Sequence, residues 1–233
     1  EFIGCTTRSD GSVLAGAAQE AVLLRIVLEL MAGGALDRLL HAPGSAYRYT
    51  TFGFTLPGLA VEKLTGDDFE WALTQSVFRP AGMRDTVADD HRRIIHDRAA
   101  GYQRVGDQMA ARLKRARVRT NVKPGSVIPA EMHDTSMKIP GGGLLSTSTD
   151  LVRFGQGVLY GKLVSTSTRD AMWTEQKTTA GKGIGYGLGF SVGKRDGRRE
   201  ISHGGGQAGA ACFLAIYPDD DLVLAAMTNL RGA

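Results

Sequence analysis

Apolar positions 17, 21, 24, 28 and 31 recur at helical spacing while Arg25 and Glu29 fall on the other side. The spacing predicts an amphipathic helix over Ala17 to Met31, ending near Gly33-Gly34. A second helix is expected in TLPGLAVEKLTG after Phe54. A third starts at Asp67-Asp68, whose carboxylates suit a helix amino terminus, and runs to Phe78 before Pro80. Residues 87 to 140 carry scattered charge, few apolar runs and several turn formers, which predicts long loops around short elements. Beyond Gly141-Gly142-Gly143, Ser148 or Thr149 is placed to cap a helix covering Leu151, Phe154 and Val158.

The last third changes period. GYGLGFSVG, RREISH, GAACFLAIYP and DLVLAAMTN are short β-type runs separated by GKRDG, GGGQ and PDDD, which reads as an antiparallel meander. Residues 222 to 228 are apolar on both faces, so that strand should be covered on both sides. A covering helix after it, and strands before the first helix, are expected to belong to the complete domain. The expected fold class is therefore α/β in the α+β sense, with both ends of the domain expected to lie outside this chain. Residues 1–180 form its mainly helical and loop part and 181–233 its sheet part.

Composition narrows the function classes. The 233 residues are 42% hydrophobic and 22% charged, long and apolar enough for a packed core. The net charge is +4, and the densest basic run, Arg112 to Arg119, has no interleaved aromatic residues. It reads as a solvated basic loop, and no nucleic-acid partner is expected. Cys5 and Cys212 make no disulfide framework, and neither sits in a zinc-type pattern. His91 and His96, five apart, point to different sides of a helix. No metal or other cofactor is expected. No run approaches the ~20 apolar residues that span a bilayer, so no membrane span is expected. The compartment stays open, a secreted or periplasmic setting being favoured for a bacterial chain.

Gly189-Phe190-Ser191-Val192-Gly193 formally matches the G-x-S-x-G nucleophile elbow, which needs a strand, a sharp turn and then a helix. Here the segment lies in a β-run followed by the hairpin turn GKRDG, so Ser191 is read as a decoy. Ser191 and Lys194 also match Ser-x-x-Lys formally, but no helical turn is expected there to join them. Tyr49-Thr50-Thr51 follows a Pro-Gly turn and precedes a helix, while His203 ends a strand and is followed by glycines that admit close approach to the backbone. Taken singly, these are a turn tyrosine, a strand-end histidine and a glycine-rich hairpin.

In this order, YTTFGFTLPGLAVEKLTG, SMKIPGGGLLSTSTDLVRFGQGVLYG and HGGGQAGAACFLAIYP resemble three segments of the serine β-lactamase, penicillin-binding protein and family VIII esterase group. In that group the second motif is Tyr-x-Asn and the third Lys-Thr-Gly or His-x-Gly. The chain resembles in particular the branch of the mitochondrial serine β-lactamase-like protein, where the second motif likewise carries Thr at the position of Thr51. The resemblance implies a β-lactamase/transpeptidase-like fold, an antiparallel sheet flanked by helices with a helical subdomain. It implies that Tyr49 relays a proton between nucleophile and leaving group, and that His203 stands where other members carry lysine and titrates near neutrality. Thr51, Gly204, Gly205 and Gly206 would contact substrate, with the Gly206 N–H forming half of an oxyanion hole.

The group's chemistry also needs a Ser-x-x-Lys helix start. Cys5-Thr6-Thr7-Arg8 can be read as a degenerate version, but EFIGCTTRSD also resembles the His-Thr-Ser-Gly segment between the first and second motifs. Tyr49, 44 residues after Cys5, favours the latter. Arg8 cannot serve as a base, since its guanidinium stays protonated. The implied function is a serine hydrolase acting on a small ester, amide, peptide or β-lactam through an acyl-enzyme, with the Ser-x-x-Lys segment outside this chain. The alternatives are a catalytically inactive relative acting in binding or assembly, as an oligomer, and a thiol enzyme using Cys5.

Overall fold

The computed structural model describes residues 41–117, 121–131 and 134–231. The expected helix over Ala17 to Met31 and the Cys5 segment lie outside the described residues. Four antiparallel strands form the main sheet in the order β5-β6-β7-β8: β5 Ser191–Arg195, β6 Arg198–Gln207, β7 Ala210–Tyr217 and β8 Leu222–Thr228. The β5–β6 hairpin turns on Asp196 and Gly197, whose φ values of 50° and 79° suit an Asp-Gly pair in a two-residue turn. The stretch GGGQ is strand rather than the expected turn, because pairing uses backbone groups alone and β7 supplies a partner for each glycine. Gly204 faces Phe213, Gly205 faces Cys212 and Gly206 faces Ala211, and the chain turns only at Ala208-Gly209.

Strand alternation puts Ile201, Leu214, Ile216, Val223 and Ala225 on one face. That face packs against α5 (Ser148–Leu159), and the cluster is closed by Trp173, at the end of α6 (Thr166–Met172), and by Phe190. Ile201 and Ile216 are fully buried, which stabilises the fold by about 2–3 kcal/mol each. The helix can lie this close because Gly155 has no side chain: a Cβ there would sit 2.6 Å from Val223 Cγ1. The other face buries Ala215 and Tyr217 but, among the described residues, leaves Phe213, Leu222 and Leu224 exposed. Only one of the two expected covering layers is therefore seen on β8 within the described residues.

The remaining elements form the loop-rich part. Helix α1 (Thr55–Thr65) ends on Gly66 with φ 78°. Helix α2 (Phe69–Leu73), capped by the Asp68 carboxylate accepting from Trp71 N–H, runs through a π-helical turn at Thr74–Phe78 into Arg79–Ala81. Pro80 thus lies inside the helical stretch instead of ending it, because the wider π turn lets its ring pass the preceding carbonyls. Two short sheets follow, pairing β1 (Val87–Ala88) with β4 (Leu144–Leu145) and β2 (Tyr102–Arg104) with β3 (Val127–Pro129) and β9 (Leu230–Arg231). Helix α3 (Asp107–Arg115) takes in the first half of the expected basic loop, Arg112 to Arg115. Its Met109, Ala110 and Leu113 pack on Val105 and Ile128, and this one-sided apolar contact stabilises a helix in an otherwise charged run. The parallel β2–β9 pair, Tyr102 with Leu230, ties these loops to the end of the main sheet.

Thr147, one residue earlier than expected, caps α5 by accepting from the Asp150 N–H. The Asp150 carboxylate has no exposed surface and holds the helix to the loop before β1. It accepts from Asp85 N–H at 2.8 Å, Thr86 Oγ1 at 2.9 Å and Arg153 Nη1 at 2.8 Å. Burial alone would raise its pKa, but these donors outweigh it and the net shift is downward. Asp150→Ala would leave the Asp85 amide and Thr86 hydroxyl without their acceptor, and should cost about 2–3 kcal/mol, read as a lower midpoint in thermal unfolding. The wild-type contribution is present above the ordinary carboxylate range and is lost as pH falls through the depressed folded-state value. The gap between wild type and Asp150→Ala should therefore narrow in acid.

Candidate functional site

Two loops and one strand meet at the site. The segment 41–51 is fixed at one point by Thr179 N–H donating to Gly44 C=O at 2.9 Å. It then enters a 3-10 turn, Phe52–Phe54, that leads directly into α1. The glycine segment docks on it from the other side through α4 (Ile139–Gly142). A Cβ on Gly141 would sit 2.6 Å from Thr51 C=O and 2.8 Å from Thr51 Cγ2, and one on Gly58 would overlap Pro140. Small residues at 58 and 141 thus let the first and second resembling segments touch.

Four rings converge here. Tyr49 and His203 lie with ring centroids 6.2 Å apart. Tyr186 stands edge-on to both, at 6.4 Å from Tyr49 and 6.1 Å from His203, and Tyr47 tilts against Tyr186 at 5.5 Å. The His203 Nε2 and the Tyr186 hydroxyl share a hydrogen bond of 2.9 Å. Tyr49, half exposed, is the ring of the trio most open to solvent. Thr51 does not join this cluster; its methyl group faces Gly141. Tyr186 was not anticipated from the sequence, where it sits in an ordinary-looking GYG between turn formers.

Beyond His203 the strand is open on one side. β5 pairs with β6 only as far as Ser191 opposite Ser202, so residues 203–207 have β7 on one side and, among the described residues, no strand on the other. The three glycines differ. Gly205 is required by packing, since a Cβ there would fall 2.6 Å from Cys212 Sγ, whereas Gly204 and Gly206 have only ordinary contacts. Gln207, also unanticipated, clamps the glycine segment onto this edge: its Oε1 accepts from Lys138 Nζ at 2.9 Å and its Nε2 donates to Gly142 C=O at 2.7 Å. Ser191 opens an antiparallel strand that runs into a hairpin, so neither a nucleophile elbow nor a Ser-x-x-Lys helical turn forms around it.

Burial shifts His203 and Tyr186 toward their uncharged forms. Burial lowers the His203 pKa below the usual imidazole value, and a backbone hydrogen bond at Gly204 offsets this only in part. The titration therefore moves to the acid side of the near-neutral value expected from the sequence. Burial, then the Tyr47 and Tyr49 phenols, push Tyr186 up to about 12, so its proton stays in place across the physiological range. Phenols and a neutral imidazole beside an open strand edge can pass a proton and orient a carbonyl. Cys212 is not presented to this edge as a nucleophile, being packed behind Gly205 with its thiol pKa raised by burial.

The Beta-lactamase family model matches residues 8–233. The human mitochondrial serine beta-lactamase-like protein LACTB is 29% identical over 210 residues, covering 79% of this chain and 35% of that relative, so the chain spans about a third of its length. Among solved structures, a D-stereospecific amidohydrolase from a Streptomyces species superposes with a TM-score of 0.65 at 24% identity, covering 82% of this chain and 52% of that one. The D-amino acid amidase of Ochrobactrum anthropi SV3, complexed with D-phenylalanine, gives 0.67 at 19% identity, with 82% and 54% covered. At these identities the structures speak to the fold, an antiparallel sheet with flanking helices in the β-lactamase/transpeptidase arrangement. With its family model running through the aromatic cluster, the glycine edge and the sheet beneath them, this chain belongs to the Beta-lactamase family.

Proposed function

We propose that this chain forms the Tyr49 and His203 side of a serine acyl-transfer site that hydrolyses a small ester, amide or peptide through an acyl-enzyme. The observation that carries this reading is the contact of Tyr49, His203 and Tyr186 at the start of the open β6 edge. The attacking serine and its lysine would come from a Ser-x-x-Lys segment of the complete protein. Brought beside Tyr49, that lysine would be the first cation among these rings and would favour the phenol losing its proton. Tyr49 then takes the serine proton and returns it to the leaving group.

His203 supports this from the strand. Held by the Tyr186 hydroxyl and neutral, it hydrogen-bonds the leaving-group side without adding a competing charge. The Gly206 N–H, on the unpaired stretch of β6, supplies one oxyanion donor and the serine's own N–H the other. Gly204 and Gly206 leave room for a substrate laid along the edge. That two fold neighbours are a D-stereospecific amidohydrolase and a D-amino acid amidase favours amides among the candidate substrates.

The full-length protein, incubated with a fluorophosphonate probe and with p-nitrophenyl esters and amino-acid amides, tests this reading. Tyr49→Phe should lower kcat by about 100-fold or more, and Ser191→Ala should change it little. The adduct should map by mass spectrometry to a serine other than Ser191; labelling of Ser191, or full activity in Tyr49→Phe, would overturn the assignment.

The pH behaviour is a separate check. NMR titration of the His203 ring should give a midpoint below the ordinary value of about 6.5, and turnover should fall on the acid side as the ring gains its proton. The neutral ring's contribution to stability is likewise present above the ordinary histidine range and lost as pH falls toward the depressed folded-state value. A midpoint at or above neutrality would contradict the neutral role given to His203.

A further inference from the structure

Tyr186 is where the two halves of the site meet. Its ring stands edge-on to Tyr49 and to His203, Tyr47 leans on it, and its hydroxyl bonds His203 Nε2 at 2.9 Å. The backbone that carries it is tied on several sides. Gln176 N–H donates to Tyr186 C=O at 2.8 Å and Ile184 N–H donates to Gln176 C=O at 3.2 Å, so residues 176–186 close into a hairpin. The Glu175 carboxylate accepts from Gly185 N–H at 2.7 Å and fills the space beside Gly183, where a Cβ would fall 2.6 Å from Glu175 Oε1. Behind Tyr186, Gly187 lies so close to the end of α6 that a Cβ would overlap Met172 C=O, and Leu188 N–H donates to that carbonyl at 2.9 Å. Trp173, the next residue, is in the core. The same hairpin holds the Tyr49 loop through Thr179 N–H and Gly44 C=O. One tightly bonded turn, anchored in the core, thus sets both the Tyr49 loop and the His203 ring.

Proton placement follows from these contacts. Among the described residues, His203 Nε2 is the one hydrogen-bond partner of the Tyr186 hydroxyl. Were the ring proton on Nε2, the phenol would accept it and leave its own proton, in a half-buried place, without an acceptor. With Nε2 unprotonated the phenol donates and both groups are satisfied. The phenol keeps that proton, since burial and then the Tyr47 and Tyr49 phenols push its pKa up to about 12. The Gly204 backbone acts on the ring in favour of its protonated form, as a carbonyl accepting a ring N–H does, and Nδ1 is the nitrogen left to donate to it. We propose that Tyr186 is a positioning residue for the hydrolysis: its hydroxyl, donating to Nε2, holds His203 as the Nδ1–H tautomer. The imidazole then acts only as a donor, through Nδ1–H, and Tyr49 is left as the ring that takes up the serine proton. The proposal rests on the hydrolase reading above. Without the Tyr186 hydroxyl, a neutral imidazole would have a free lone pair to compete with Tyr49 for that proton.

Long-range proton–nitrogen NMR correlation on the full-length protein with 15N-labelled histidine, recorded above the His203 titration midpoint, reads the tautomer directly. Wild type should carry the ring proton on Nδ1 and none on Nε2. Tyr186→Phe keeps the ring and removes only the hydroxyl, and should let the Nε2–H form, the commoner one for an unconstrained imidazole side chain, take over. Tyr47→Phe removes a phenol whose ring meets Tyr186 and not the imidazole, and should keep the wild-type tautomer. In turnover of an amino-acid amide, Tyr186→Phe should lower kcat by about tenfold, the loss expected for one hydrogen bond, with KM within about twofold of wild type. The NMR measurement needs no turnover and so separates the two readings. If wild type cleaves neither esters nor amides but His203 is the Nδ1–H tautomer and Tyr186→Phe abolishes it, the hydrolase reading fails while the hold of Tyr186 on His203 stands. An Nε2–H tautomer in wild type, or a tautomer that Tyr186→Phe leaves unchanged, sinks the proposal. So does an active enzyme whose kcat is the same in Tyr186→Phe.

Discussion

β6 is longer than its neighbour on one side. It pairs with β7 from Ile201 to Gln207, but β5 stops opposite Ser202. Everything at the site is arranged around that mismatch. The buried half of the strand, with Ile201 in the core beside Leu214 and Ile216, anchors it to α5 and α6. The half without β5 carries His203 and the glycines into a region where, among the described residues, β7 is their one strand partner. A strand without the Ile201 anchor could not hold its far end in place, and one fully paired on both sides would offer no edge.

Polar contacts then fix what the sheet presents. Asp150 binds α5 to the loop before β1 through three donors, and Glu200, on the sheet face away from α5, accepts from Arg195, Tyr217 and Ser202. Both carboxylates are saturated with donors and their pKa values are lowered. They hold the scaffold and stay out of the cleft. The cleft itself contains neutral rings, and free positive charge lies farther along the edge, in the wall shared by β2, α3 and β9.

Local signals explain what the sequence made legible. The Asp68 cap, the Asp-Gly hairpin at 196–197 and the apolar runs of the sheet are decided by residues adjacent in the chain, so short-range patterns suffice. The exceptions are places where a neighbour distant in sequence overrode local preference. GGGQ holds strand geometry because β7 pairs with it, Pro80 continues a helix because a π turn precedes it, and the first half of the basic run joins α3 because Val105 and Ile128 receive the helix's apolar side.

By itself the sequence determined the α+β class, the helices after Phe54 and Gly143, the antiparallel run at the end and the two segments bearing Tyr49 and His203, since each is written in contiguous motifs. Only the tertiary structure decided that Tyr186 bonds His203, that Thr51 turns to Gly141 and that Gln207 clamps Gly142. It alone gathered Arg104, Arg112 and Arg231 in one wall. The three pairwise contacts, Tyr186 with His203, Thr51 with Gly141 and Gln207 with Gly142, each join residues at least 17 positions apart, the separation of Tyr186 and His203. No periodicity along the chain encodes such a meeting, because packing of the sheet against its helices sets the distance.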